Sequence, residues 1–547
     1  MQRSFLLFVL AMAAPFAALL GQAYNPAVDI RHYSFALNVN DSNNRILGNA
    51  EITLVFKEDA GSFRLDLAAG NREGKGMTVR SVKEDDRPIR FTQDSSHLLL
   101  HSGGKAGQSH HYKISYDGIP ADGLIIGNNK YGRRGFFGDN WPDRAHNWLP
   151  CIDHPSDKAE VDFLITAPDH YTVVANGALV EERSLPGHRK ITHWKESVPL
   201  SPKVMVIGVA DFAVDHPGDA LGIPVWNYVY PEDKEPGFRN YALALQILPF
   251  YISHIGPYPF EKCGNVQSKT RFGGLENASA IFYFENSVSA PDVESLMAHE
   301  IAHQWFGDAA TESQWKYLWL SEGFATYMEH CYLENKYGTD TLQRCMEKDR
   351  TKLLAFEKKR LTPVVDTTVR TNYMQLLNPN TYEKGGWALH MLRRRLGDSL
   401  FWKGIATYYM TYRNGNASGA DFEKVMEDIS GQDLHAFFHQ WLDLAGTPSL
   451  LVTWKKDEAG RCTGLQIRQQ QKDLYEFPLE YSVNGVLHTI QIRDRSTSVQ
   501  VERSPGRPGV PGRPDSARAG KSGAADGPAP DQCLVDPNSN LLATFIL

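Results

Sequence analysis

The sequence has no C-x-x-C pair, no excess of positive charge and no internal repeat. Beyond its first two dozen residues it also has no apolar run long enough to cross a membrane. The missing cysteine pairs exclude the common zinc-ribbon and thioredoxin-type patterns. Basic residues number 57 against 64 acidic, a formal net charge of −7. That balance argues against nucleic acid or an anionic membrane as partner. Cysteine is sparse, at six residues: Cys151, Cys263, Cys331, Cys345, Cys462 and Cys533. A fold of this size does not need bridges, although an even count in an exported chain permits them. Cys462 and Cys533 share the last segment and are the pair to expect if one forms; scattered buried thiols are the alternative.

What is present is ordinary globular material, 42% hydrophobic and 22% charged over 547 residues, enough for three or four domains. The N-terminus departs from it. Met1-Gln2-Arg3 supplies a positive start, and Phe5 to Leu20 is apolar apart from Pro15. Gly21-Gln22-Ala23 then places small residues at a cleavage site. This pattern predicts a secretory signal peptide over 1–23, cut after Ala23, and an exported protein, secreted or periplasmic. The run is short for a membrane anchor, and no cysteine stands near the cut for lipid attachment.

Residues 24–215 read as an all-β domain. In Ala50-Glu51-Ile52-Thr53-Leu54-Val55-Phe56 the apolar residues alternate, which puts Ala50, Ile52, Leu54 and Phe56 on one face. From 216 to 445 the period becomes helical. Helices are expected over Phe238–Ile255, Ala290–Phe306, Ser321–Tyr337, Asp340–Lys359, Thr381–Leu396, Leu400–Arg413 and Ala420–Ile429, with one strand over Gly273–Phe284. Residues 446–547 return to strands in a small β-sandwich-like domain. It is interrupted at Arg503–Asp531 by a Pro-, Gly- and Arg-rich tract that cannot bury enough apolar surface to order itself.

The chemistry concentrates in "MAHEIAHQWFGD", Met297 to Asp308. His299 and His303 are four apart and share one face of a helix, so both imidazoles can bind one zinc ion. Glu300 between them can act on water there. Apolar Met297, Ile301, Trp305 and Phe306 wrap this helix, and a buried histidine pair without a partner is costly. No H-x-x-G-x-x-H extension follows, so a third ligand must come from elsewhere. Glu322, nineteen positions after His303, opens the next helix; on spacing alone it competes with Glu312 and Glu329.

Taken together these residues resemble the gluzincin aminopeptidases of the aminopeptidase N and leukotriene hydrolase type. The resemblance rests on His299-Glu300-x-x-His303 with Glu322 in "WLSEGFATY", on "GGLEN" (Gly273 to Asn277), on "YEKG" (Tyr382 to Gly385) and on "LPCIDHPSDKA" (Leu149 to Ala159). It implies a multidomain α+β fold: an N-terminal all-β domain, a thermolysin-like α/β zinc peptidase domain and a small C-terminal β domain. It implies one Zn2+ per chain on His299, His303 and Glu322, with Glu300 as general base and Tyr382 on the oxyanion. Gly273, Gly274, Glu276 and Asn277 would bind the substrate, Glu276 holding its free α-amine. Peptides with a free N-terminus are the implied partners. Where the family carries a second amine-binding Gln or Glu, this sequence has "GDNWPDRAHNW", with Asp139 as the candidate. A thermolysin-like endopeptidase and a non-catalytic peptide-binding scaffold are the alternatives.

Overall fold

The computed structural model describes residues 27–501 and 531–547. The expected leader, 1–23, and the tract Arg503–Asp531, apart from Asp531, lie outside the described residues.

The N-terminal part is β throughout. Its main sheet has eight strands, with Val28–Asn38 and Ile46–Phe56 at the centre. Ala50, Ile52, Leu54 and Phe56 are all 0% exposed, as the period of two requires. The strand Ala213–Ala220 contains the expected boundary at Asp215, yet it pairs into the sheet of the next domain.

That sheet has five strands, ordered Ala213–Ala220, β1 (Ile223–Val229), β2 (Cys263–Ser268), β4 (Ala280–Phe284) and β3 (Gly274–Leu275). The single strand expected over Gly273–Phe284 is therefore a hairpin. β3 runs antiparallel to β4, with Gly274 opposite Tyr283. The reason is a turn at Asn277-Ala278-Ser279, where Ser279 takes φ 58°. β3 is the edge strand of the sheet.

Helix α1 (Val293–His303) follows, then α2 (Trp319–Tyr337) and α3 (Thr339–Glu357). The helix expected from Thr381 begins differently. Asn380–Lys384 forms a wide π-type turn, and only then does regular α4 (Gly385–Leu396) start. Such turns recur at functional sites. The expected helix Phe238–Ile255 is broken into Lys234–Tyr241 and Ala244–His254. Tight hydrogen bonds three residues apart, Leu243 to Asn240 and Leu245 to Ala242, mark the break.

The C-terminal part holds two small sheets. A disulfide between Cys462 and Cys533, 71 residues apart, joins a strand of one to a strand of the other. The last residues pack back on α3: Arg350 donates to Asp536 at 3.3 Å, and Ser539 donates to Glu347 at 2.9 Å.

Two lysines, the half-buried Lys158 and the buried Lys203, fasten the N-terminal domain to the segment after α1. Lys158 Nζ donates to the carbonyls of Asp308, Ala309 and Gly415 at 2.9, 2.7 and 3.2 Å. Lys203 pairs with Glu312 at 2.6 Å, and both are essentially unexposed. A hydrogen bond from a charged donor contributes about 1.5–3 kcal/mol. Lys158→Met is thus expected to destabilise the fold by about 3 kcal/mol or more, read as a lowered urea midpoint relative to wild type. A midpoint that does not move would show that Lys158 fastens nothing.

Candidate metal centre and amine-binding cleft

The apolar back of α1 sets its orientation. Met297, Ala298, Ile301 and Ala302 are 0% exposed, so the opposite side faces a cavity of about 410 Å³. His299, Glu300 and His303 line that cavity, together with Gly273, Gly274, Glu276, Glu322 and Tyr382. The resemblance gives roles to nine residues, and the structure brings eight of them to one space. Asn277 is the exception: it is 1% exposed and is not among the residues lining the cavity. It sits in the turn of the hairpin, buried.

Three ligand atoms converge. His303 Nε2 lies 3.2 Å from His299 Nε2. Glu322 Oε2 lies 3.2 Å from His303 Nε2 and 3.5 Å from His299 Nε2. Ligands placed tetrahedrally around one zinc ion, each about 2.0–2.1 Å away, stand about 3.3 Å apart. The residues present therefore fit zinc, with a fourth position for water or substrate. The electrostatics agree. Burial disfavours charge on His299, yet Glu322 and Glu329 outweigh it and raise its pKa well above the ordinary value. Burial would raise the pKa of Glu322, but His303 and His299 hold its carboxyl well below the usual range. The point where the three meet favours positive charge.

The other nitrogen of each imidazole is also engaged, which fixes the ring. His303 Nδ1 donates to the Phe306 carbonyl at 3.1 Å. His299 Nδ1 faces Glu329 Oε2 at 3.4 Å, and Glu329 accepts from Ser295. Glu329, one rival for the third ligand, thus stands behind a ligand. Glu312, the other, is spent on Lys203.

Glycines let the site close. A Cβ on Gly274 would lie 2.1 Å from Glu300 Oε1, so Glu300 rests against bare backbone of β3. Burial, opposed by His299 and His303, pushes the Glu300 carboxyl up to about 7. A Cβ on Gly323 would lie 2.9 Å from Gly385 Cα. The helix bearing Glu322 and the helix that follows Tyr382 touch there backbone to backbone. Tyr382 consequently sits with its ring 6.2 Å from that of His299, nearly parallel at 15°. Burial, reinforced by Glu322, holds the Tyr382 hydroxyl well above its usual pKa, so it remains a proton donor.

Glu276 is 4% exposed, and its Oε1 has no hydrogen-bond partner among the described residues. Its backbone is held by Gln304, which sequence reasoning passed over. Gln304 Nε2 donates to the Glu276 carbonyl at 2.8 Å and to Asp308 Oδ2 at 2.9 Å. Gln304 Oε1 accepts from Ser279 N at 2.8 Å and from the Tyr258 hydroxyl at 3.2 Å. Its only sequence signal was a polar residue inside the apolar wrapping, directly after His303. Asp139 does not join the cleft. It is 0% exposed, pairs with Arg144 and accepts from Arg271 N at 3.3 Å. Trp141, two residues on, lines the cavity instead.

A helix carrying two histidines and a glutamate, with the last ligand from the next helix, defines a gluzincin centre. The chain belongs to the peptidase M1 family. Residues 30–202 match the Peptidase M1 N-terminal domain, and residues 241–441 match the Peptidase family M1 domain. "Probable aminopeptidase 2" of Sulfurisphaera tokodaii is 26% identical over 82% of this chain and 59% of its own length. "Leucyl aminopeptidase" of Saccharolobus solfataricus is 24% identical over 78% and 56%. The chain thus spans less than two thirds of these relatives. An M1 zinc metallopeptidase from Deinococcus radiodurans shares the fold, with TM-score 0.68 and 23% identity over 78% of this chain and 96% of that one.

Partners of ligating histidines typically contribute about 10- to 100-fold in metal affinity. Glu329→Gln is expected to weaken zinc binding by about that factor, measured by competition with a chromogenic chelator. Affinity equal to wild type would remove Glu329 from the support of His299.

Proposed function

We propose that the chain is an exported zinc-dependent aminopeptidase, hydrolysing the N-terminal peptide bond of peptides. The observation that carries this reading is Glu276, a buried carboxylate with an unpartnered oxygen in the same cavity as His299, His303 and Glu322. Such a group is costly unless a cation reaches it. The terminal ammonium of a peptide meets that need, and an endopeptidase has no use for it. β3 is an edge strand, so a peptide backbone can add alongside it. The M1 family membership and the aminopeptidase names of the relatives support the same reading.

A zinc ion held by His299, His303 and Glu322 supplies a Lewis acid for the water and the scissile carbonyl. The protein's own groups do the rest. Glu276 fixes the ammonium end, which brings the first peptide bond to the centre. Glu300, with its carboxyl near 7, takes a proton from the attacking water and delivers it to the leaving amine. The Tyr382 hydroxyl donates to the oxyanion as the carbonyl becomes tetrahedral.

Each role has its own readout. Truncating one partner of a buried charge pair costs about 2–5 kcal/mol. Glu276→Ala should therefore lower kcat/KM on free-amine peptides at least about thirtyfold while zinc content stays at one per chain. Tyr382→Phe should lower kcat about 10²- to 10³-fold with little change in KM. Wild-type enzyme that cleaves N-acetylated peptides as readily as free ones would sink the aminopeptidase reading. Export is tested separately: Edman sequencing of the mature protein should begin at Tyr24.

A further inference from the structure

The cavity is acidic. Among its described lining residues are Glu276, Asp292, Glu300, Glu322 and Glu329, and only one ammonium, that of Lys348. An exposed lysine is ordinarily a solvated surface charge. Lys348 differs in its setting. It lines the same cavity as these carboxylates, yet among the described residues its side chain makes no ion pair or hydrogen bond. Its side chain is left for an incoming anion.

Its position is also fixed. Lys348 is on α3, and one turn later Lys352 pairs with Glu383, the neighbour of Tyr382. The face of α3 that bears both lysines thus looks onto the Tyr382 turn. The other side of α3 is braced by the C-terminal segment, where Gln343 donates to the Pro537 carbonyl at 3.0 Å and Arg350 to Asp536 at 3.3 Å. Glu276, which follows edge strand β3, lines the same cavity. An anchor for an ammonium and an anchor for a carboxylate therefore share one cavity with the candidate metal centre. At about 410 Å³, the cavity is at the small end of ligand pockets, which run roughly 300–1,000 Å³.

We infer that Lys348 receives the C-terminal carboxylate of a short peptide whose N-terminal ammonium lies against Glu276, so that the site selects small oligopeptides with both ends free. The inference rests on the aminopeptidase reading. No covalent step is added; Lys348 contributes to binding alone.

The test uses the full-length zinc-loaded enzyme and three substrates sharing one N-terminal residue: a tripeptide acid, its C-terminal amide and the aminoacyl p-nitroanilide. An exposed ion pair is worth up to about 1 kcal/mol, so wild type should prefer acid over amide by about fivefold, mostly in KM. That preference should shrink in high salt. Lys348→Ala should bring the acid-to-amide ratio near one, Lys348→Glu should invert it, and Lys348→Arg should keep it. If the anilide is cleaved but wild type shows no preference, or the preference survives in Lys348→Ala, the inference is overturned and the aminopeptidase reading stands. If none of the three substrates is cleaved, the aminopeptidase reading itself falls, and this inference with it.

Discussion

Holding two imidazole nitrogens and a carboxylate oxygen within 4.8 Å of one another is the constraint around which the rest is arranged. Lone pairs do not gather in a buried space unless something keeps them there. The Phe306 carbonyl grips one ring and Glu329 the other. Lys158 and Lys203, reaching across from the N-terminal β domain, fasten the loop that follows α1. The β domain is thereby part of the centre's scaffold, although it supplies none of the three ligand atoms.

Backbone contact does the finer positioning. Glycines at 323 and 385 allow α2 and the start of α4 to touch, which brings Glu322 and Tyr382 to the same side of the cavity. Gly274 does the same for Glu300 and β3. Gln304 completes the arrangement, since a single amide spans the helix of the histidines and the hairpin of Glu276. The spacing between Glu276 and the histidine helix is thus held by one buried side chain.

Much of this was legible in the sequence because the relevant rules are periodic. Four-residue spacing places His299 beside His303, and two-residue spacing places Ala50, Ile52, Leu54 and Phe56 inward. Long, strongly patterned helices such as α2 and α3 fell within a residue or two of expectation. What could not be read depends on folding back in space. A glycine pair in a strand announces a close approach but not what approaches, and at Gly274 it is Glu300. The hairpin at Asn277–Ser279 broke what looked like one strand. Glu329 and Glu322 were indistinguishable by spacing, since both follow the second histidine on one helix. Only the three-dimensional register shows that one meets Nε2 and the other Nδ1. Asp139 seemed available because its partners, Arg144 and Arg271, are invisible in a linear text as partners.

The bridge between Cys462 and Cys533 has a topological effect beyond any stiffening. Residues 502–530 lie inside the loop it closes, and Leu534–Leu547 lies beyond it, supplying the strand Thr544–Ile546 and the Asp536 contact to Arg350. A peptide bond broken anywhere within that loop makes two polypeptides of one chain yet separates nothing. The far piece stays covalently tethered and keeps its place in the sheet. Such a nick would be silent in gel filtration and in non-reducing electrophoresis, and would show itself only when a thiol is added under denaturing conditions.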